Sequence, residues 1–326
     1  MPVIAAPQPI PYQGSKRKLA PLVLKHFPAS TTTLFEPFAG SAAITIAAAQ
    51  RGLASSFVIS DSLPPLIGIW NLILTSPTAL ADGYEALWHA QIGNKRTFYD
   101  QTREEFNAEK DPIKLLYLLA RCVKNAVRFN SVGAFNQSPD NRRKGVKPAT
   151  LRKRIWEVHG LLSGRTKARA GDYEQALADA NPDDLVYMDP PYMGVSGAKD
   201  GRYHQGLDID RFVEALGSAN DRGVRYLVSF DGRKGNVTYG PPLPDALCLR
   251  RLELHAGRSS QATLNGKAEE TYESLYLSAA LVECLRSDTA LQDQHSVHRV
   301  RPMPDMPHEW RQVEGIRIGS LEIVCT

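Results

Sequence analysis

The sequence is poor in cysteine and has no long apolar run. Its four cysteines, at positions 122, 248, 284 and 325 of 326, are scattered without a C-x-x-C pair. This spacing excludes a cysteine zinc site and a disulfide framework, and it favours reduced thiols in a cytosol. No stretch approaches the roughly 18 uncharged apolar residues that a membrane-spanning helix needs. No basic segment precedes the early prolines, as a secretory signal would require. A soluble cytoplasmic protein is therefore expected.

The sequence also lacks a complete phosphate-binding loop. The glycine turn at 12–19 carries basic residues without the G-x-x-x-x-G-K-[ST] spacing, and no second phosphate-binding glycine follows Gly40. A ligand without phosphates therefore fits better than a dinucleotide. With 43% apolar and 23% charged residues, the composition predicts a globular protein with one large domain and a smaller one.

Positive charge is concentrated in one part of the chain. The formal net charge is only +4, yet residues 89–170 contain 18 Lys and Arg against 7 Asp and Glu. A basic segment inside an otherwise acidic chain is typical of a module that binds a polyanion such as nucleic acid. The alternative, a solvated helical face, would usually interleave acidic residues with the basic ones.

Strands and helices alternate on both sides of this basic segment. A strand at 33–36, an alanine-rich helix at 42–51 ended by Gly52, and a strand at 56–60 predict a β-α-β unit and hence a parallel sheet. After the segment we expect the following: a strand at 185–188, a helix that starts near 209, a strand at 225–230, and an antiparallel hairpin of 247–254 with 272–277.

The basic segment is predicted to be an insertion that divides the sheet in the sequence. Within it we expect a helix at 111–127, a tight hairpin at 129–136 and a loop at 137–148. The predicted boundaries are 1–85 and 175–280 for the two parts of the main domain, 86–174 for the insertion and 281–326 for a C-terminal extension. The extension is aperiodic, with a strand expected at 316–324.

The most informative motif is Asp189-Pro190-Pro191-Tyr192. It follows the apolar strand at 185–188, and its prolines end that strand abruptly. A carboxylate, free backbone carbonyls and an aromatic ring are thus placed where open α/β sheets bind ligands. They suit a flat ring held by its exocyclic amine. The alternative is a Pro-Pro turn that only closes the strand.

Three further motifs are candidates for the same site. The Gly40 turn would allow a ligand close to the backbone at a helix N-terminus, or it could serve tight packing. Asp61 ends a strand as a ribose-binding acid does, or it caps the helix that follows. Lys16, Arg17 and Lys18 follow a glycine turn and could instead be a solvated helix start.

Together these motifs resemble the Dam-like, alpha-class family of adenine-N6 DNA methyltransferases. The chain shares the order of the motifs at 12–16, 35–41, 60–61 and 189–192, with the basic insertion before the last one. Residues 128–136 resemble the hairpin of the family's target-recognition domain, with Val132 where members that read GATC carry arginine. The resemblance implies an α/β, Rossmann-like S-adenosylmethionine-dependent methyltransferase sheet with an inserted, mainly helical, basic target-recognition domain.

The resemblance also implies the site residues. The catalytic residues would be Asp189, Pro190, Pro191 and Tyr192. Those that bind the cofactor, S-adenosylmethionine, would be Tyr12, Lys16, Glu36, Pro37, Phe38, Ala39, Gly40, Ser41, Asp61 and Asp189. Those that bind DNA would be Arg128, Asn130, Asn136, Arg142, Arg143, Lys144 and Lys147. Asn130 and Asn136 could equally stabilise a turn through their own backbone.

The implied reaction is direct methyl transfer to the N6 atom of an adenine flipped out of duplex DNA. The Asp189 carboxylate and the Pro190 carbonyl would each accept an N6 hydrogen bond, and Tyr192 would stack on the base. No metal is needed. The alternatives are an N4-cytosine or RNA adenine methyltransferase and a catalytically silent DNA-binding relative. A bacterial or phage-encoded, nucleoid-associated enzyme is expected, as a monomer or a weak dimer, orphan or paired with a restriction endonuclease.

Overall fold

The computed structural model describes residues 6–191, 207–234, 237–258 and 270–297. Residues Met1–Asp288 form one compact unit and Thr289–Thr326 a second. Tyr192 and the strand expected at 316–324 lie outside the described residues.

Eight strands form one sheet in the described part of the chain. Their bounds are β1 Thr33–Glu36, β2 Ser56–Asp61, β3 Thr166–Ala170, β4 Leu185–Met188, β5 Arg225–Lys234, β6 Val237–Tyr239, β7 Arg250–Arg258 and β8 Glu270–Leu277. The order is β3-β2-β1-β4-β5-β8-β7, with β6 paired to β5. The first five strands in this order, from β3 through β2, β1 and β4 to β5, are parallel. Strand β8 runs antiparallel to both of its neighbours, β5 and β7. The sheet thus has the predicted parallel core and the predicted closing hairpin.

Helices cover both faces of this sheet. Their bounds are α1 Ala20–Val23, α2 Ala43–Arg51, α3 Pro64–Thr75, α4 Pro77–Ala90, α5 Lys95–Glu109, α6 Pro112–Arg121, α7 Pro148–Leu162, α8 Tyr173–Asp179, α9 Ile209–Asp221 and α10 Ala279–Val297. The buried strand β4 shows why helices are needed on both faces, because its side chains point alternately to one face of the sheet and to the other. Leu185 and Tyr187 belong to one core, while Val186 and Met188 pack in the other with residues of α8 and α9.

The strands and helices around the first motifs match their predicted bounds closely. Helix α2 ends at Gly52, which adopts a φ of 64° and donates its N–H to carbonyls of the last turn. The helix expected at 111–127 is shorter than predicted, because α6 ends at Arg121. Beyond it, Lys124 and Asn125 adopt φ values of 60° and 54°, which an α-helix does not accept.

One strand of the sheet comes from the segment that the sequence predicts to be the insertion. Strand β3 lies inside the segment 86–174, yet it pairs in parallel with β2 along its whole length. Its residues, Thr-Lys-Ala-Arg-Ala, carry little of the apolar pattern that marks a strand, because β3 is the half-exposed edge of the sheet. The helices of the insertion also share one continuous core with α2 and α3.

The hairpin expected at 129–136 is present. Phe129 and Phe135 pair across it, and the Asn130 N–H donates to the Ala134 carbonyl at 2.9 Å. The Asn130 side-chain oxygen accepts the N–H groups of Val132 and Ala134, at 3.1 and 2.9 Å. Val132 lies at the tip with 82% of its surface exposed.

Candidate active site

A crevice opens at the carboxyl edge of the sheet between β1 and β4. Strand order reverses here, since β1 is flanked by β2 on one side and by β4 on the other. Such a switch point is where open α/β sheets bind ligands. The crevice is lined by residues 12–16, 38–41 and 189–191 together with Glu36, Ala43 and Val127. The structure therefore brings three of the four sequence motifs together.

Lys16 links the first of these motifs to the last. Its ammonium lies 2.9 Å from Asp189 Oδ1 and 3.2 Å from Glu273 Oε2. Only 8% of the Lys16 side chain is exposed, against 21% for each carboxylate partner. A buried lysine needs such partners to stay charged. The alternative of a solvated helix start therefore does not hold for Lys16, whereas Lys18 is exposed.

The two carboxylates at the ends of β1 and β4 are shifted toward their neutral forms. Burial raises the pKa of Asp189 to about 6, with Glu273 adding to the rise and Lys16 opposing it. Burial raises the pKa of Glu36 to about 7, against the hydrogen bonds that it accepts, and nearby Asp189 adds to the rise. Strongly shifted carboxyl groups in a crevice are typical of functional sites.

Glu36 also has a structural task at the start of α2. Its carboxylate accepts the N–H groups of Thr45 at 2.6 Å and of Ile44 at 3.4 Å. These groups have no partner within the helix, so Glu36 caps α2 from the end of β1. Glu36 is one of the cofactor-binding residues expected from the sequence. It both lines the crevice and fixes the loop at 37–42.

The Gly40 peptide is held on three sides. Its N–H donates to Asp61 Oδ2 at 3.0 Å, and its carbonyl accepts from Trp70 Nε1 at 3.1 Å. At a φ of 49°, a Cβ at this position would lie only 2.9 Å from the Tyr12 ring. The glycine is needed both for its backbone conformation and for the close approach of Tyr12.

Of the residues expected to bind the cofactor, only Pro37 and Asp61 do not line the crevice. The Asp61 carboxylate bonds the backbone instead. Its second oxygen accepts the Leu63 N–H at 3.0 Å, so the carboxylate joins the Gly40 turn to the start of α3. Leu63, not Asp61, is the N-cap residue of α3, so Asp61 stabilises the turn before the helix rather than capping the helix as the alternative predicts. Burial raises the pKa of Asp61, while the backbone N–H groups of Gly40 and Leu63 oppose the rise.

The amino-terminal motif is fixed to the neighbouring loops. Ser41 donates a hydrogen bond to Ser15 at 2.8 Å, and the Gln13 N–H donates to the Asn125 carbonyl at 2.9 Å. Val127 of the same connection lines the crevice. The segment that leads into the hairpin at 129–136 therefore contacts the crevice directly.

The residues expected to bind DNA lie outside this crevice. Arg128, Asn136, Arg142, Arg143, Lys144 and Lys147 are exposed. Arg142 and Arg143 have 88% and 71% of their side chains exposed, each beside the nearly buried Asp140. Asn130 is half-buried and bonds its own turn, as the alternative for it predicts.

The motifs did not reveal Glu273. It lies on β8 in the same alternation as the core residues Leu275 and Leu277. A charged residue on the core side of a strand is the signal that could have found it, because that side normally carries only apolar residues.

The crevice suits a cationic organic ligand. Asp189 and Glu273 flank the Lys16 ammonium, Glu36 lines the same crevice, and the Gly40 turn presents backbone rather than a side chain. Among the described residues, no group of three or more histidine, cysteine or acidic side chains is arranged to hold a metal ion. No helix in the described ranges is long and apolar enough to cross a membrane.

The strand order and the crevice are consistent with a Rossmann-like methyltransferase fold. The family model of D12 class N6 adenine-specific DNA methyltransferases matches residues 12–231, which is most of the chain. The chain therefore belongs to this family, and the expected class of enzyme, a DNA adenine-N6 methyltransferase, is confirmed at this level.

Curated relatives agree with the family. A DNA adenine methylase of Vibrio cholerae is 25% identical over 229 residues, 67% of this chain and 79% of the relative. The retron Ec67 DNA adenine methylase of Escherichia coli is 28% identical over 206 residues, 59% of this chain and 68% of the relative. A Type II methyltransferase of Lactococcus lactis is 26% identical over 232 residues, covering 67% and 78%.

Proposed function

We propose that this protein transfers a methyl group from S-adenosylmethionine to N6 of a flipped-out adenine in double-stranded DNA. The observation that carries the proposal is the 2.9 Å contact of Lys16 with Asp189 at the β1–β4 crevice, inside the matched family region. The cytoplasm of a bacterium, with the nucleoid as substrate, fits the bacterial relatives.

The chain's own residues would act on the amine. Ionised Asp189 would accept one N6 hydrogen bond and the Pro190 carbonyl a second, which draws the nitrogen lone pair out of the ring. Tyr192 would stack on the base. Because adenine is paired and stacked in a duplex, it must leave the helix to reach the crevice, at a cost of roughly a few kcal/mol.

Lys16, Tyr12 and the loop 37–41 would hold the cofactor, which supplies an already activated methyl group. The acidic crevice favours its positive charge. Asp61 would support this site in two ways. Its carboxylate binds the Gly40 N–H, and the family resemblance implies that it also binds the ribose hydroxyls of the cofactor. The DNA would contact the hairpin at 129–136, including Val132 at its tip, and the exposed basic residues at 142–147.

A radiolabelled methyl-transfer assay with nucleoside analysis tests the proposal. Unmethylated duplex DNA should yield N6-methyladenine, and the activity should fall as the pH drops through about 6, where Asp189 becomes protonated. The other outcomes would contradict the proposal. N4-methylcytosine would indicate a cytosine methyltransferase, labelling of RNA in preference to DNA an RNA methyltransferase, and no product a catalytically silent relative. Sequencing methylated bases in DNA from expressing cells would then give the recognition sequence.

A further inference from the structure

The Lys16 ammonium lies between two carboxylates rather than beside one. Asp189 Oδ1 and Glu273 Oε2 are 2.9 and 3.2 Å from the same nitrogen. The catalytic motif explains the first contact. The second comes from the antiparallel strand β8, which carries none of the motifs shared with the family.

The backbone around Glu273 is built for this approach. Glu273 pairs with Gly232 of β5, next to a register shift between Ser229 and Gly232. A Cβ at position 232 would lie 2.5 Å from the Tyr272 carbonyl oxygen, so only glycine allows the two strands to come this close. The position of Glu273 is thus fixed by the pairing of β8 with β5, the strand that lies between β8 and β4.

The charge of this group matters for the proposed reaction, on which this inference rests. With all three side chains ionised, Asp189, Lys16 and Glu273 carry one net negative charge. Without Glu273 the remaining pair is neutral. Positive charge develops on N6 during methyl transfer, and a carboxylate whose charge is fully balanced by a lysine stabilises it less.

We propose that Glu273 is a positioning residue for methyl transfer, which shares the Lys16 ammonium and so leaves Asp189 with uncompensated negative charge. Glu273 does not touch the reacting atoms in this arrangement. It acts through Lys16, and the residue that accepts the N6 hydrogen bond remains Asp189.

The pH profile separates this role from a merely structural one. In the described residues, the charged groups that face Asp189 are Lys16 from the amino-terminal segment, Glu36 from β1 and Glu273 from β8. Glu273 raises the pKa of Asp189, so its removal should lower that pKa. The variant should therefore be slower at its plateau and yet keep its activity to a lower pH. Simple loss of structure would not move the acid limb downward.

The test uses the full chain with Glu273→Gln and the conservative Glu273→Asp, assayed by single turnover on unmethylated duplex DNA from pH 5 to 8.5. Glu273→Gln should lower the plateau rate about tenfold or more, change the KM for DNA and for the cofactor less than about threefold, and shift the acid limb to lower pH. Glu273→Asp should recover part of the rate. The matched control is Glu270→Gln on the same strand, where the exposed Glu270 lies on the opposite face.

Thermal unfolding without cofactor or DNA gives a second readout. Because the folded-state pKa of Asp189 is raised to about 6, folding loses stability as the pH rises through that value. In Glu273→Gln this loss should occur at lower pH and be smaller. A plateau rate within twofold of wild type, or an acid limb that stays or moves upward, would overturn the inference. Wild-type protein that methylates no adenine would instead defeat the proposed function, and the unfolding profile would still test the charge sharing.

Discussion

The crevice and the basic insertion both depend on charge, but they use it differently. In the crevice a single ammonium, 8% exposed, is shared by two carboxylates within 3.2 Å, and Asp189 is close enough to a third carboxyl, Glu36, to raise its pKa. In the insertion, residues such as Arg142 have 88% of the side chain in solvent. Buried charges in contact set one another's pKa, whereas exposed charges act nearly independently and are screened by salt.

Part of the insertion's positive charge is paired within the fold. Arg121 is buried and donates to the Asp140 and Arg143 carbonyls. Arg152 binds both Asp82 and Glu85 at 2.6 Å, and Arg169 pairs with Asp179 on α8. These residues count toward the excess of positive charge in the sequence, yet they hold the fold together. The charge available to DNA is therefore smaller than the count of residues indicates.

The largest effect is expected in the crevice, from Asp189→Asn. Asparagine keeps the shape but can no longer carry negative charge, so methyl transfer should fall about a hundredfold to a thousandfold. Thermal unfolding at pH 8 should change little or shift upward, because a buried carboxylate with a raised pKa is removed while Lys16 keeps Glu273. The control is Asp183→Asn, two residues before β4, where the side chain is 93% exposed. Near-normal methylation by Asp189→Asn would refute the catalytic role.

The next effect is expected in the insertion, from changing Arg142, Arg143 and Lys144 together to Gln. Binding to all duplexes should weaken alike, and the slope of log affinity against log salt should fall by up to about three. The fold should survive, because Arg121 and Gln91 hold this loop through the backbone carbonyls of 140, 143 and 144. Fluorescence anisotropy at several salt concentrations measures both quantities, with the exposed Arg51→Gln outside the insertion as control. A changed sequence preference in the triple variant would contradict the expectation that these three residues strengthen binding to all duplexes alike.

A smaller effect in the crevice should come from Gly40→Ala. The new Cβ would meet the Tyr12 ring at 2.9 Å, and it would also strain a residue at φ 49°. Cofactor affinity measured by calorimetry should fall about tenfold. Gly52→Ala is the matched control, because Gly52 has a φ of 64° but nothing within 4 Å. Both variants should lose about 1 kcal/mol of stability from strain. Equal cofactor affinities for the two would show that contact with Tyr12 does not shape the site.

Those parts of the fold that depend on local pattern could be predicted from the sequence. The helix α2 has alanines and a terminal glycine, and β4 has a fully apolar run ended by two prolines. Each signal lies within about ten residues, so the β-α-β unit and the place of Asp189 follow from it. The hairpin at 129–136 is local in the same way.

Contacts between distant segments could not be predicted in this way. Nothing near Glu273 in the sequence shows that β8 lies beside Lys16, 257 residues away in the chain. Asp61 is a similar case, because both a ribose and the Gly40 N–H are compatible with its position after β2. Strand β3 could not be predicted because an edge strand of Thr, Lys, Ala, Arg and Ala lacks the apolar alternation of a half-buried one.

The smallest effects should separate the two asparagines of the hairpin. The side-chain oxygen of Asn130 already accepts the N–H groups of Val132 and Ala134, so Asn130→Ala should loosen the turn that presents Val132. We expect a loss of about 1 kcal/mol or less in stability and a few-fold loss of discrimination between cognate and one-mismatch duplexes.

Asn136 is exposed, and Asn136→Ala should change discrimination without changing the unfolding temperature, because an amide at this position can pair with adenine. Anisotropy on matched duplexes and thermal unfolding of both variants decide the case. If Asn136→Ala lowered stability and Asn130→Ala did not, the structural and DNA-reading roles would have to be exchanged between them.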